Sequence, residues 1–137
     1  MQNPIIRGIV AILAGVVAAF AVVLVVEGLG HMLYPPPPGY DATRPEDQAR
    51  LMAVVPTGAK IAVVVAWFLG SLAGAVTAAK VGRSPLYAWV IGAIMIALSV
   101  VTTMMFPHPV WMVIAAVVLP VIAAAIAIPL SRPRVSP

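Results

Sequence analysis

Between Ile5 and Val26 the chain reads IIRGIVAILAGVVAAFAVVLVV, twenty-two residues carrying one charge. A helix rises about 1.5 Å per residue, so such a run reaches about 30 Å, the thickness of a bilayer's hydrocarbon core. Three more runs of this kind follow: Ile61 to Ala79, Leu86 to Phe106 and Val110 to Leu130. Each is apolar all round rather than on one face, the pattern of a helix embedded in lipid. Composition agrees, because eight basic and four acidic side chains cannot cover a soluble domain that is 63% hydrophobic with a mean hydropathy of +1.10. The expected fold is all-α: an integral membrane four-helix bundle, one domain over residues 1–137. Its spans are expected at 5–33, 60–79, 86–106 and 110–130, with an outer segment at 34–59.

The first run has a basic start at Arg7 and an AFA stretch at Ala19 to Ala21 that resembles a signal-peptide cleavage site. Cleavage there would leave VVLVV at the new terminus, so a retained helix is expected. Four crossings put Arg7, the KVGRSP turn with Lys80 and Arg83, and the tail with Arg132 and Arg134 on one side. Arg44, Arg50 and Lys60 fall on the other side with Asp41, Glu46 and Asp47. The basic excess assigns the first side to the cytoplasm, giving a multi-pass bacterial inner-membrane protein with both termini inside. The cations are dispersed between apolar runs instead of clustered with aromatics, which argues against nucleic acid as a partner. No cysteine is present, which excludes disulfides and thiolate chemistry.

In the outer segment, TRPEDQARLMAVV has Thr43 three residues before Glu46, the spacing of a capping box, with Pro45 in the first turn. A short interfacial helix from Arg44 to Val55 follows from it. Pro35 to Pro38 end the first helix and lift the chain over the membrane face. Within the spans, Ala62, Ala66, Gly70, Gly74 and Ala78 recur every fourth residue, and GSLAG from Gly70 to Gly74 is a GxxxG motif. Such rows let two helices approach closely, either within one chain or as a homodimer seam; packing within the chain is the favoured reading. Pro120 removes a donor in the fourth span and predicts a kink. Trp89, Trp111, Tyr34, Tyr40 and Tyr87 read as interfacial anchors, and Trp67 as packing.

Polar groups are few enough to enumerate. Glu27 and His31 stand one turn apart at the outer end of the first span, above a row of small residues at Ala11, Gly15 and Ala19. The outer half of the third span carries Ser99, Thr102 and Thr103, and His108 sits in the turn beyond. Convergence of Glu27, His31 and His108 would build an ion or proton site, or a divalent-metal site, and an ionisable group in a span is a functional hypothesis in itself. The competing reading is structural, a Glu27 to His31 ion pair or hydrogen bond closing the helix end. HExxH, paired Glu-x-x-His, Walker A, GxSxG and the dinucleotide glycine fingerprint are all missing from the sequence.

The string E…LYPPPPGYD…VPTGA…W…GSLAG, from Glu27 to Gly74, resembles a family of small bacterial four-span membrane proteins. The resemblance implies the topology and no activity. Small multidrug exporters also have four spans and a membrane glutamate, but theirs lies inside the first helix and they lack the long outer segment.

The leading functional expectation is a non-enzymatic subunit or oligomer-forming module, working as a homo-oligomer or in a larger membrane complex, without a cofactor. A proton- or cation-coupled transporter or channel using Glu27 is the alternative. A metal-binding membrane enzyme is third. The topology has a direct check, since every introduced cysteine would be the only one: Ala42→Cys should react with an impermeant maleimide on intact cells, and Val81→Cys only after permeabilisation. The opposite pattern would reverse the orientation.

Overall fold

The computed structural model describes residues 3–133, so Arg134 lies outside the described residues. Among these the chain forms α1 (Pro4–Leu33), α2 (Pro45–Val54), α3 (Thr57–Gly82), α4 (Leu86–Met105) and α5 (Val110–Ser131), and no strand. All but α2 are long and apolar enough to cross a bilayer. The protein is therefore a multi-pass, all-helical membrane bundle.

Local rules account for the helix ends. Asn3 caps α1 by accepting the Ile5 N–H at 2.9 Å, with Pro4 in the first turn, where its missing donor costs nothing. α1 ends at Leu33 because Tyr34 precedes Pro35 and is pushed out of the helical region, its N–H closing on Gly30 O at 2.8 Å. The capping box expected at Thr43 does not form. Arg44 precedes Pro45, which forces it to an extended φ of −95° and ψ of 124°, so the helix cannot begin before Pro45. Thr43 is used instead in a turn, its N–H and hydroxyl both donating to Asp41 Oδ1, at 2.9 and 2.6 Å. Asp47 Oδ2 accepts the Asp41 N–H at 3.1 Å, and Gln48 Nε2 donates to Ala42 O at 2.9 Å, which tie the start of α2 to this turn.

α3 is the hub, packed against α1, α4 and α5, whereas α1 touches α4 only slightly and α5 not at all. Its small-residue row explains the closeness to α1. A Cβ on Gly74 would stand 2.7 Å from Gly15 O and 2.8 Å from Ala19 Cβ, and one on Gly15 would stand 2.9 Å from Gly74 O. Gly70 faces Val23 and the Ala19 carbonyl, and further up Gly30 faces Ala62. The GxxxG motif is thus consumed within the chain, which leaves no homodimer seam at that row. Lipid tails are as apolar as the helix faces, so dispersion between close backbones, rather than the hydrophobic effect, holds this pair together.

α4 and α5 pack through Gly92, where a Cβ would meet Ala124 Cβ at 3.1 Å and Pro120 O at 3.4 Å. Pro120 is fully buried there, and α5 runs as one helix through it and through Pro129. Tyr87 covers Gly8 and Gly82, so it locks α1, α3 and α4 together rather than serving only as an interfacial anchor. Trp67 is buried with Met112 and Ala116, as its depth implied.

The seam yields a stability test. Gly74→Ala should destabilise the detergent-solubilised protein by about 1–3 kcal/mol, the usual cost of overpacking. Gly28→Ala, where nothing lies within 4 Å of the new Cβ, should be neutral or stabilising by up to about 1 kcal/mol from helix propensity. Equal melting shifts for the two would contradict the seam.

Candidate functional site

The α1 to α3 seam carries the last turns of α1 up beside the first turns of α3, and a cavity of about 180 Å³ opens there. Glu27 and His31 line it from α1 and Tyr34 from just beyond it, Lys60 and Val63 from α3, and His108 and Met112 from the α4 to α5 turn and the start of α5. Leu51, Met52 and Val55 close it from α2 and the residue after it. None of the residues in α2 is buried, and α2 packs against no other helix, so it is a roof held by its flanking turns. Below the cavity the floor is the buried cluster of Trp67, Met112 and Ala116, and the His108 ring lies 6.0 Å from Trp67, centroid to centroid.

The two histidines are held alike. His31 Nδ1 lies 2.9 Å from the Glu27 main-chain carbonyl, and His108 Nδ1 lies 2.7 Å from the Phe106 carbonyl. A carbonyl oxygen only accepts, so Nδ1 is the protonated nitrogen in both neutral rings and Nε2 carries the lone pair. Each ring can therefore take up a proton or offer one ligand atom at Nε2. Of the two forms the structural reading allowed, a hydrogen bond joins His31 to Glu27, through the Glu27 backbone carbonyl, and no ion pair with its carboxylate is formed among the described residues. The Glu27 side chain is half-buried and, among the described residues, has neither a hydrogen bond nor an ion pair.

The structure thus brings Glu27, His31 and His108 to one cavity, though among the described residues no three His, Asp or Glu side chains group as metal ligands. Ser99, Thr102 and Thr103 do not line it. Thr102 Oγ1 donates to Leu98 O at 2.9 Å and Thr103 Oγ1 to Val100 O at 2.8 Å, the usual recourse of a hydroxyl in an apolar helix, while Ser99 is buried in the helix packing. Lys60 is the residue that sequence reasoning assigned to topology alone. A signal was there: with α3 starting just after Pro56, Ala59 and Val63 lie on one helical face, with Lys60 beside them.

Comparison with protein-family models, with curated proteins and with solved structures finds no match. The site has to be read from its own chemistry.

The roof is tied to a titratable group. The hydroxyl and the amide of Thr43 hold the Asp41 carboxyl below its ordinary value of 3.8. A carboxylate with a lowered pKa contributes fully above that ordinary value, and its contribution is lost as pH falls through the lowered one. The protection of the Thr43 amide, its exchange rate relative to the intrinsic rate at the same pH, should accordingly hold at neutral pH and fall in acid, and Asp41→Asn should flatten this dependence. An acid response unchanged by the substitution would detach the turn from Asp41.

Proposed function

We propose that this protein is a non-enzymatic integral membrane module that works as a subunit of a larger membrane assembly, engaging its partner at the cavity under α2. The observation that carries the proposal is the shape of that cavity. Ionisable groups from three parts of the chain gather in about 180 Å³ at one end of the bundle, and Trp67 with Met112 and Ala116 closes the way down. A recess that ends on packed apolar side chains suits binding. Its mixture of a carboxylate, an ammonium and two imidazoles among apolar side chains suits a polar segment presented by another protein at the membrane surface.

The module sits in the bacterial inner membrane with α2 outside and both termini in the cytoplasm. All four carboxylates, Glu27, Asp41, Glu46 and Asp47, belong to the α2 end, whereas Arg7, Lys80, Arg83 and Arg132 belong to the other. Arg44, Arg50 and Lys60 stand at the α2 end, so the orientation is supported by the modest Lys and Arg excess at the other end and the preference of these residues for the cytoplasmic side.

Proton- or cation-coupled transport is a second reading, supported by the shared cavity of Glu27, His31 and His108. It needs Trp67 and Met112 to move aside. Two measurements separate the readings. Extracted in mild detergent, the chain should migrate well above its 14.2 kDa, and Met52→Asp, which places a charge in the cavity roof, should release the monomer without loss of helicity. In liposomes, wild type should pass neither protons nor monovalent cations. A saturable flux abolished by Glu27→Gln would overturn the module reading in favour of transport.

A further inference from the structure

At the opposite end of the bundle the last turn of α3, the turn into α4 and the last turn of α5 enclose a groove of about 880 Å³. Lys80, Arg83 and Arg132 line it on the polar side, together with Ser84, and Ile128 and Leu130 line it toward the membrane. Among the described residues no Asp or Glu is near, since Glu27, Asp41, Glu46 and Asp47 lie at the α2 end. Among the described residues none of the three cations has an ion-pair partner. Three like charges around one groove repel each other, and an anion between them relieves that repulsion.

Lys80 and Arg132 stand at the C-terminal ends of α3 and α5, where a cation is favoured by the helix dipole whatever else it does. Arg83, the C-cap of α3, is favoured in the same way, but its backbone is unusual. It has φ 54° and ψ 36°, the only non-glycine residue with positive φ among those described, although Gly82 stands next to it. Glycine takes that conformation without strain and arginine at some cost, a cost that a role for the side chain would offset. Ser84 adds a donor: its Oγ accepts the Leu86 N–H at 3.2 Å, which leaves its own hydroxyl hydrogen free.

The groove lies at the ends of three spans, the depth at which hydrocarbon gives way to headgroups, and its lower wall continues into the lipid-facing part of α5, where Leu130 is 54% exposed. Its occupant needs an anionic group at the cations and an apolar remainder along Ile128 and Leu130. We propose that this groove is a binding site for the phosphate of an anionic phospholipid, held by Lys80, Arg83 and Arg132, with the first acyl segments against Ile128 and Leu130. The volume exceeds a free phosphate many times over, and a basic pocket between spans is a form that headgroup recognition takes. The site is independent of the cavity under α2.

The test uses the full chain in phosphatidylcholine vesicles, with trace spin-labelled phosphatidylglycerol or phosphatidylcholine as the probe for lipid held at the protein surface. Wild type should hold the anionic probe in clear preference, and each cation removed should cost about fivefold. Arg83→Gly is the cleanest variant: preference should fall about fivefold while the melting temperature stays level or rises, because the strained backbone is relieved. Lys80→Gln, Arg83→Gly and Arg132→Gln together should bring the two probes to equality, and Arg44→Gln with Arg50→Gln, at the other end, should change nothing. Equal association of both probes with wild type overturns the proposal. So does an equal loss in the Arg44 and Arg50 variant, which would mean general surface charge. Displacement of the probe by millimolar inorganic phosphate, at constant ionic strength, would assign the groove to a free phosphate and overturn the lipid.

Discussion

The structure depends on the backbone approach of α1 to α3. With Gly15 and Gly74 each set against the other's carbonyl, and Gly70 against Ala19 and Val23, the two helices come together along most of their length. In water such a pair would be secondary to burial of large side chains, but in lipid the apolar faces of both helices are already in a favourable solvent, so close contact is what distinguishes association from separation. α4 and α5 then pack on α3, and Tyr87 bridges back to α1 at Gly8. The seam also determines where the polar groups go. Because it continues to Gly30 and Ala62, the last turn of α1 stands beside the first turn of α3, and Glu27 and His31 meet Lys60 across the cavity.

Charge is divided between two ends and nearly absent between them. The α2 end holds every Asp and Glu and both histidines, and the other end holds three cations around a groove. The two ends are separated by packed apolar helix whose few hydroxyls are spent on their own helices, such as Ser71 Oγ on Trp67 O at 2.7 Å. This packing separates the two recesses proposed as binding sites, one at each end of the bundle. The roof over one of them is the least anchored helix of the fold.

The spans were legible in the sequence because their signal, length of apolar run, is local and needs no partner. So was α2, through Pro45, Glu46 and the apolar residues after them, although its first residue was misjudged: the Thr43 to Glu46 spacing suggested a box that the restriction on Arg44 before Pro45 forbids. What could not be read locally is which helix lies against which. The GxxxG of α3 reads the same whether its partner is α1 of the same chain or a second copy, and only the observed pairing with Gly15 and Ala19 decides it. The site divides in the same way. Glu27, His31 and His108 stood out because ionisable groups are rare here, and they share a cavity. Thr102 and Thr103 were grouped with them by depth alone, but a hydroxyl in an apolar helix turns back to its own carbonyls. Lys60 was passed over because a cation at a span end has a sufficient explanation in topology.

The central claim is that the α1 to α3 seam lies within one chain and runs up to the cavity. Since the sequence has no cysteine, paired substitutions at Gly30 and Ala62 report on it directly: a Cβ at Gly30 would stand 3.1 Å from that of Ala62, near the usual disulfide separation of about 3.5–4.5 Å. Oxidised in native membranes, the Gly30→Cys, Ala62→Cys protein should form an internal cross-link that leaves it at monomer size and keeps its halves joined after proteolysis between α1 and α3. A disulfide-linked dimer, or no cross-link while Gly28→Cys with Ala62→Cys forms one, would contradict the account.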